Sequence, residues 1–298
     1  MAAITKIVTE SDGLRKVAIP AYKLLARGMV FSPPPRVLSN STPKTGTHLL
    51  SSLLKSFPDM MFSGHHYSLH NFELPGSPPA TERGGEWELD WRRLERVLRS
   101  INDGQFMTAH FSPLPELKSL LDMLDYRIIT MLRDPRDVAV SSAFYISRLE
   151  RHFLHERFAT ELDTMDDRLM ASIRGLPATE RYRGLGSIGR RVSRYRQWVG
   201  DPKIYVCRFE RLVGPRGGGN EEDQRAEIEA IAAHIDRRLP ADELEQVARK
   251  AWSARSSTFR KGAIGDWRNH YSEEHKRAFK EVCGKQLIEL GYERDDGW

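Results

Sequence analysis

Residues 42–48 read Thr-Pro-Lys-Thr-Gly-Thr-His and lie between two apolar segments. The segment before them, 36–40, has the composition of a short buried strand, and the segment after them, 48–57, has the spacing of an apolar helix face. This order predicts a strand, a loop and a helix. In open α/β sheets, ligands bind beyond the carboxyl ends of the strands, which is where this loop would lie.

The loop at 42–48 carries the groups that bind an oxyanion. Gly46 allows backbone N–H groups to approach an anion closely, and the N-terminus of the next helix adds about half a positive charge. Lys44 and the hydroxyl groups of Thr45 and Thr47 complete the cradle. The ATP-type sequence G-x-x-x-x-G-K-[ST] is absent. A Pro-Gly turn with a solvated lysine is the alternative interpretation.

Strands and helices alternate along the rest of the chain. Buried strands are predicted at 105–110, 126–132 and 203–209. Helices are predicted at 90–101, at 115–124, after Arg133 through Ile146, at 148–175, at 187–200, at 221–251 with a break at Pro240, and at 272–290. The pattern predicts a single-domain α/β fold with a central, mostly parallel sheet flanked by helices, and a P-loop-like strand-loop-helix at 36–57.

Three local expectations complete this organisation. The segment 65–83 is rich in His, Pro, Gly and Ser without a period, which predicts a long loop. Residues 1–35 are expected to form a helical lead-in, and 36–298 the functional domain. The last helix begins at Ser272 with His275 at the third helical position, so a full capping box is not expected.

Composition narrows the class of protein. The chain has 298 residues, of which 40% are hydrophobic and 29% charged, with a formal net charge of +5 and acidic residues interleaved among the basic ones. This balance favours a pocket for a small anion over a nucleic-acid surface. No apolar run reaches the roughly 18 residues of a membrane span, and the N-terminus does not resemble a signal peptide. Cys207 and Cys283 form neither a disulfide framework nor a zinc pattern, so we expect a cytoplasmic location.

Two further basic segments lie at predicted strand or loop ends. Arg133 ends a buried strand and could grip a phosphate, while Ser141 lies two turns into the following helix and Asp137 could orient a guanidinium. A structural Arg–Asp pair is the alternative. An irregular loop near the C-terminus contains two cations and a glycine with an accessible N–H, Arg260, Lys261 and Gly262, which suits binding of a terminal phosphate. A solvated basic loop is the alternative.

Together these segments resemble the sulfotransferases that use 3′-phosphoadenosine 5′-phosphosulfate (PAPS), particularly their soluble, cytosolic-type branch. The family pattern P-K-[ST]-G-T matches 43–47, R-[ND]-P-[KR]-D-V-[AV]-V-S matches 133–141, and R-K-G-x-x-G-D-W-K-N matches 260–269 with Arg268 in place of lysine. The resemblance implies transfer of the sulfuryl group of PAPS to a hydroxyl or amine of a small-molecule acceptor. PAPS has no polyphosphate chain to neutralise, so no metal is expected.

The resemblance also implies roles for individual residues. The residues implied to bind the 5′-phosphosulfate are Lys44, Thr45, Gly46, Thr47 and His48. Those implied to bind the 3′-phosphate are Arg133, Ser141, Arg260, Lys261 and Gly262. His110 occupies the place of the family's general base, and Lys44 would stabilise the leaving phosphate.

Four features depart from the family pattern. Thr108 replaces a lysine that precedes the catalytic histidine by two residues, and Leu49 replaces an aromatic residue that stacks on adenine. Phe209 replaces the tyrosine that contacts adenine, so the stacking surface is kept and the hydroxyl is lost. Trp252 is a candidate for the residue that stacks on adenine instead. The segment 268–273 lacks the family's dimer pattern, so that dimer is not expected and the oligomeric state stays open.

Alternative functions stay open at this point. Thr108 leaves room for a nucleotide-binding protein of the same fold without activity, and a nucleotide kinase that needs Mg²⁺ is a second alternative. The G-x-G-x-x-G match at 184–189 follows no apolar strand and is not expected to bind a dinucleotide. His65, His66 and His70 lack a metal-ligand pattern and could line the acceptor entrance or a solvated loop. The loops at 61–88 and 145–185 are expected to set acceptor specificity.

Overall fold

The computed structural model of the protein describes residues 21–22, 24, 35–76, 87–251 and 261–298. Five strands in this part of the chain form one parallel sheet in the order β2-β3-β1-β4-β5, which confirms the predicted α/β architecture. The strands are β1 Arg36–Ser41, β2 Met61–Ser68, β3 Gln105–His110, β4 Tyr126–Leu132 and β5 Ile204–Arg208. The predicted lead-in at 1–35 lies almost entirely outside the described residues, so the division at residue 35 stays a prediction.

Helices connect the strands. They are α1 Thr47–Ser56, α2 Trp91–Arg99, α3 Pro115–Met123, α4 Pro135–Arg148, α5 His155–Thr160, α6 Met165–Arg174, α7 Ile188–Val199, α8 Phe209–Leu212, α9 Glu221–His234, α10 Ala241–Ala251 and α11 Glu273–Glu289. Short 3-10 helices lie at Leu69–Phe72, Pro215–Gly217 and Asp266–Asn269. Within the described ranges, no helix has the length and apolar character that crossing a membrane requires.

Helices cover both faces of the sheet. Val37 of β1 packs in a cluster with apolar residues of α1, α9 and α10, whereas Leu38 packs in a second cluster with residues of α2 and α3. Successive side chains of a strand point to opposite faces, so these two clusters lie on opposite sides of the sheet. Burial on both faces explains why β4 is almost continuously apolar.

The carboxyl ends of β1, β3 and β4 meet at one edge. Asn40 of β1 pairs with Ala109 of β3, and Ser41 pairs with Met131 of β4. The Asn40 amide also donates to the backbone oxygen of Phe111 at 3.0 Å and accepts from its N–H at 2.8 Å, which joins the two strand ends. The residues that follow these strands are therefore held side by side.

β2 stands where the sequence predicted the start of a long loop, and that prediction is wrong for its first part. The strand continues to Ser68 and is followed by the 3-10 helix Leu69–Phe72. Within the described residues, β2 pairs only with β3, and its register shifts between Phe62 and His66. An edge strand with an irregular register and polar side chains lacks the apolar alternation by which a strand is recognised.

The start of α11 also differs from expectation. The Ser272 N–H donates to Nδ1 of His275 at 3.2 Å, and the His275 N–H donates to Oγ of Ser272 at 3.3 Å. These reciprocal bonds form a complete capping box in which histidine takes the place of the usual glutamate.

Candidate active site

The loop between β1 and α1 is held in a tight conformation. Lys44 and Gly46 have positive φ angles of 74° and 118°. The Thr45 hydroxyl donates to the backbone oxygen of Thr42 at 2.7 Å. A Cβ atom on Gly46 would lie 2.8 Å from Cδ2 of Phe209, so the ring packs directly on the loop backbone. A non-glycine residue with positive φ is uncommon and marks a turn or a strained site, so Lys44 is held in its position by the surrounding structure.

A cavity of about 380 Å³, the first cavity, opens beside this loop. The site residues predicted from sequence that line it are Lys44, Gly46, Thr47, His48, His110, Arg133, Ser141, Phe209, Lys261 and Gly262. Thr45 is not part of the wall, because its side chain is buried and bonded to the loop itself. Arg260 and Trp252 lie outside the described residues. Residues of separate segments of the chain thus share one cavity.

The first cavity also contains residues that the sequence reasoning missed. Ser51 and Lys55 line it together with His48, and Tyr145 of α4 completes the wall. Positions 48, 51 and 55 share one face of a helix, so helical spacing from His48 could have identified them. Tyr145 carries no motif signal.

Arg133 extends from the end of β4 into the space between the cavity and the C-terminal loop. Its guanidinium carbon lies 4.1 Å from the centroid of the Phe209 ring, and Nη2 donates to the backbone oxygen of Ala263 at 2.9 Å. Nη2 also lies 3.8 Å from the Asp137 carboxylate. Arg133 therefore contacts the wall of the cavity and the loop that follows residue 260 at the same time.

Asp137 holds the C-terminal loop rather than orienting only a guanidinium. Its carboxylate accepts hydrogen bonds from the backbone N–H groups of Gly265 at 2.8 Å and Trp267 at 2.9 Å. Burial raises the pKa of Asp137, and the charge of Arg133 opposes that shift. In the same loop, Nζ of Lys261 lies 3.1 Å from the Asp266 carboxylate.

Lys44 lies at the junction of the first cavity and a neighbouring one. Its Nζ atom is 3.8 Å from the centroid of the Tyr145 ring, and both residues line both cavities. The hydroxyl groups of Thr47 and Ser41 lie 2.6 Å apart just below the loop. The attraction between the ammonium group and the ring restricts the position of the Lys44 side chain.

His110 ends β3 and also lines both cavities. Its Nδ1 lies 2.6 Å from the backbone oxygen of Ser41. Because a carbonyl oxygen only accepts, Nδ1 carries the proton and Nε2 keeps its lone pair. Burial, followed by the charge of His66, lowers the pKa of His110 to about 4, so the imidazole is neutral at pH 7.

Thr108 is hydrogen bonded to a histidine of the neighbouring strand. Its Oγ1 lies 2.9 Å from Nδ1 of His66, and the His66 ring meets the His110 ring edge-on with centroids 5.0 Å apart. Burial lowers the pKa of His66. The position of the family's lysine is therefore occupied by a neutral, hydrogen-bonded pair.

The remaining sequence patterns concern three histidines, a metal site and a dinucleotide motif. His65 bonds to Ser63, His66 lines the first cavity, and His70, 3.0 Å from the Glu73 carboxylate, lines the neighbouring cavity. Among the described residues, no group of His, Cys, Asp and Glu could hold a metal ion. A Cβ atom on Gly189 would lie 1.7 Å from the backbone oxygen of Val282, so this glycine of the G-x-G-x-x-G match allows α7 to pack against α11.

The neighbouring cavity, the second cavity, has a volume of about 460 Å³. It shares Lys44, His110, Tyr145 and Pro43 with the first cavity. Its aromatic and apolar wall residues include Trp87, Ile146, Phe153, Leu176, Leu185 and Tyr195. Several come from the two loops expected to set acceptor specificity. The wall also contains Arg190, Arg191 and Arg194 of α7, which no sequence motif had indicated.

Comparison with known proteins identifies the family. Solved structures with the same fold include mouse sulfotransferase SULT7A1 complexed with PAP (adenosine 3′,5′-bisphosphate). Its sequence is 19% identical to this chain, the TM-score is 0.60, and the match covers 91% of this chain and 92% of that one. Retinol dehydratase in a complex with retinol and PAP is 20% identical with a TM-score of 0.51, covering 91% and 86%. A search of curated proteins finds no match. The sulfotransferase domain model matches residues 34–291, so the protein belongs to the sulfotransferase family, as its motifs predicted.

Proposed function

We propose that this sulfotransferase uses PAPS and transfers its sulfuryl group to a hydroxyl or amine of a small-molecule acceptor. The observation that carries the proposal is that two cavities meet at Lys44 and His110. One cavity is lined by the cations and loop expected for the nucleotide, and the other has the aromatic wall expected for an acceptor. The solved relatives named with PAP support the choice of nucleotide. A cytoplasmic location stays a prediction of the sequence.

The charge of the first cavity suits a nucleotide with several anionic groups. Lysine and arginine side chains line it, and no Asp or Glu is present among the described residues of its wall. In the proposal, Lys44, Thr47, His48 and the N–H groups of the loop bind the 5′-phosphosulfate. The groups proposed for the 3′-phosphate are Arg133, Ser141, Lys261, Gly262 and, as a sequence prediction, Arg260. Phe209 forms the wall beside the adenine.

The reaction is an in-line displacement at sulfur. The acceptor oxygen forms a bond to sulfur while its proton moves to Nε2 of His110, which the tautomer leaves free to accept it. The bond between sulfur and the bridging oxygen breaks, and its electron pair stays on the 5′-phosphate of PAP. Lys44 neutralises that oxygen as its charge develops. An amine acceptor follows the same course.

Because Thr108 stands where many family members have a lysine, the site lacks that cation. Lys55 lines the same cavity, with Nζ 4.8 Å from the centroid of the Phe62 ring, and we propose it as the second cation. Burial lowers the pKa of Lys55. If no second cation acts, the protein binds the nucleotide without turning it over, which is the alternative function to be tested.

A thermal-shift titration tests the nucleotide. The protein is heated with PAP, with ADP, and with ATP plus Mg²⁺, since a ligand at about 100 times its Kd adds roughly 2.7 kcal/mol of stability. Selective stabilisation by PAP supports the proposal. Stabilisation by ATP with Mg²⁺ would favour a kinase instead.

Variants then test the mechanism with radiolabelled PAPS and a mixed panel of phenols, alcohols and amines. Lys44→Ala and His110→Ala are expected to lose most turnover, about 100-fold or more for the loss of the general base. His234→Ala is the matched control, because its Nε2 also bonds to a backbone oxygen, that of Ile128 at 2.9 Å, yet it lines neither cavity. If PAP binds without any sulfuryl transfer, and His110→Ala leaves PAP binding unchanged, the protein is a nucleotide-binding protein without activity.

A further inference from the structure

The second cavity carries positive charge without an opposing carboxylate. The arginine cluster, defined as Arg190, Arg191 and Arg194 of α7, lines it on one side, and Lys44 lines it at the junction with the first cavity. Its wall contains no Asp or Glu within the part of the chain that the structure describes, although the chain has 41 acidic residues. A pocket for a neutral acceptor has no need of this charge.

Two arginines of the cluster, the exposed Arg190 and the half-buried Arg194, have no ion-pair partner among the described residues. Across the described ranges, the structure gives the side chains of Arg190 and Arg194 neither a hydrogen bond nor an ion pair. They lie one turn apart on α7, where like charges repel each other. Burial, followed by the charge of Arg190, lowers the pKa of Arg194. By contrast Arg196 of the same helix, which lines neither cavity, pairs with Glu289 at 2.8 Å.

Arg191 adds a third charge to the wall of the second cavity. Its guanidinium donates to Oγ of Ser142 at 3.2 Å and to the backbone oxygen of Ser172 at 2.6 Å, which ties α7 to α4 and α6. Its Nε atom is buried and has no hydrogen-bond partner in the described structure. Burial lowers the pKa of Arg191 to about 10. A half-buried cation with one unpartnered N–H and no counter-ion is costly, and an anionic ligand would offset that cost.

We propose that the arginine cluster binds an oxyanion group on the acceptor, such as a carboxylate or a sulfonate. The acceptor would present its hydroxyl or amine to His110 and its oxyanion to the cluster, while the aromatic and apolar wall between them holds its body. This inference rests on the proposed function and gives the chemical class of its acceptor.

Calorimetric titration of the PAP-saturated protein tests the inference without requiring turnover. PAP occupies the phosphate sites of the first cavity, so further anion binding reports on the second. The probes are matched pairs: para-hydroxybenzoate and para-hydroxyphenylpropionate with their methyl esters, and para-hydroxybenzenesulfonate with its sulfonamide. At least one anion is expected to bind about tenfold or more tightly than its uncharged partner. The carboxylate and sulfonate pairs distinguish the two kinds of oxyanion.

Substitutions on α7 assign any preference to the cluster. The double variant Arg190→Gln/Arg194→Gln is expected to lose the preference for the anion, to bind PAP as before and to melt no lower than wild type, because it removes a repulsive pair. Arg196→Gln removes a charge from the same helix and should keep the preference.

Three outcomes are distinguished. Loss of the anion preference only in the double variant supports the inference. Equal affinity for anions and uncharged partners in every pair, or a preference that survives in the double variant, overturns it. If PAP itself fails to bind, the proposed function fails, and the same acid and ester pairs are then titrated without PAP, so that the cluster is judged separately.

Discussion

Replacing Gly46 with alanine tests the conformation of the anion-binding loop. At φ 118° an alanine is strained, which costs on the order of 1–3 kcal/mol. Its Cβ would also lie 2.8 Å from Cδ2 of Phe209, and relieving such overpacking typically costs about 1–3 kcal/mol more. We therefore expect Gly46→Ala to lower the free energy of unfolding by about 2–6 kcal/mol. PAP affinity should fall as well, because the loop N–H groups are displaced.

Two other glycines separate the strain from the clash. Gly76 has φ 84° and no atom within 4 Å of the place that an added Cβ would take, so Gly76→Ala should show the backbone cost alone. Gly200 has φ −90° and open space, so Gly200→Ala should be neutral or slightly stabilising. In urea denaturation, Phe209→Leu combined with Gly46→Ala should recover part of the loss. A Gly46→Ala protein with wild-type stability and wild-type PAP affinity would refute the loop geometry.

Two further predictions concern Asp137 and His110. Asp137→Asn should destabilise the protein by about 1.5–3 kcal/mol in urea denaturation and weaken PAP binding, because one of the two hydrogen bonds to the 265–267 backbone is lost. The control Asp122→Asn, at an exposed ion pair with Lys203, should change stability by less than about 1 kcal/mol. Equal effects of the two variants would contradict the anchoring role of Asp137. Burial lowers the folded-state pKa of His110 to about 4, so its contribution to stability is present above pH 6.5 and is lost as the pH falls towards 4. Between pH 7 and pH 4, the free energy of unfolding of His110→Gln should therefore fall less than that of wild type. Parallel curves for the two proteins would contradict the lowered pKa.

Much of the fold could be predicted because the central strands are buried on both faces. β4 is a nearly continuous apolar run, and both β1 and β4 are followed by a segment with phosphate-binding composition. Once β1, β3 and β4 are placed in one parallel sheet, Lys44, His110 and Arg133 must lie at the same edge. The first cavity therefore follows from local patterns together with parallel pairing.

The rest depends on contacts between residues far apart in the chain. β2 was missed because its middle part, Ser-Gly-His-His at 63–66, has no apolar alternation, and the bond of His66 to Thr108 of β3 has no local signal. Asp137 reaches Gly265 and Trp267, which no local pattern connects with it. The arginine cluster was missed because cations at helical spacing are typical of a solvated face, and only the tertiary structure turns that face towards a cavity.

The two cavities also control the strength of the proposed base. After burial, the charges of His66, His48 and Lys44 lower the pKa of His110, while its bond to Ser41 raises it. The anionic groups of PAPS would offset the charge of Lys44 and raise that pKa towards its ordinary value. A base whose pKa lies closer to the working pH accepts a proton more effectively. An oxyanion at the arginine cluster would act in the same direction, so a filled site holds a stronger base than an empty one.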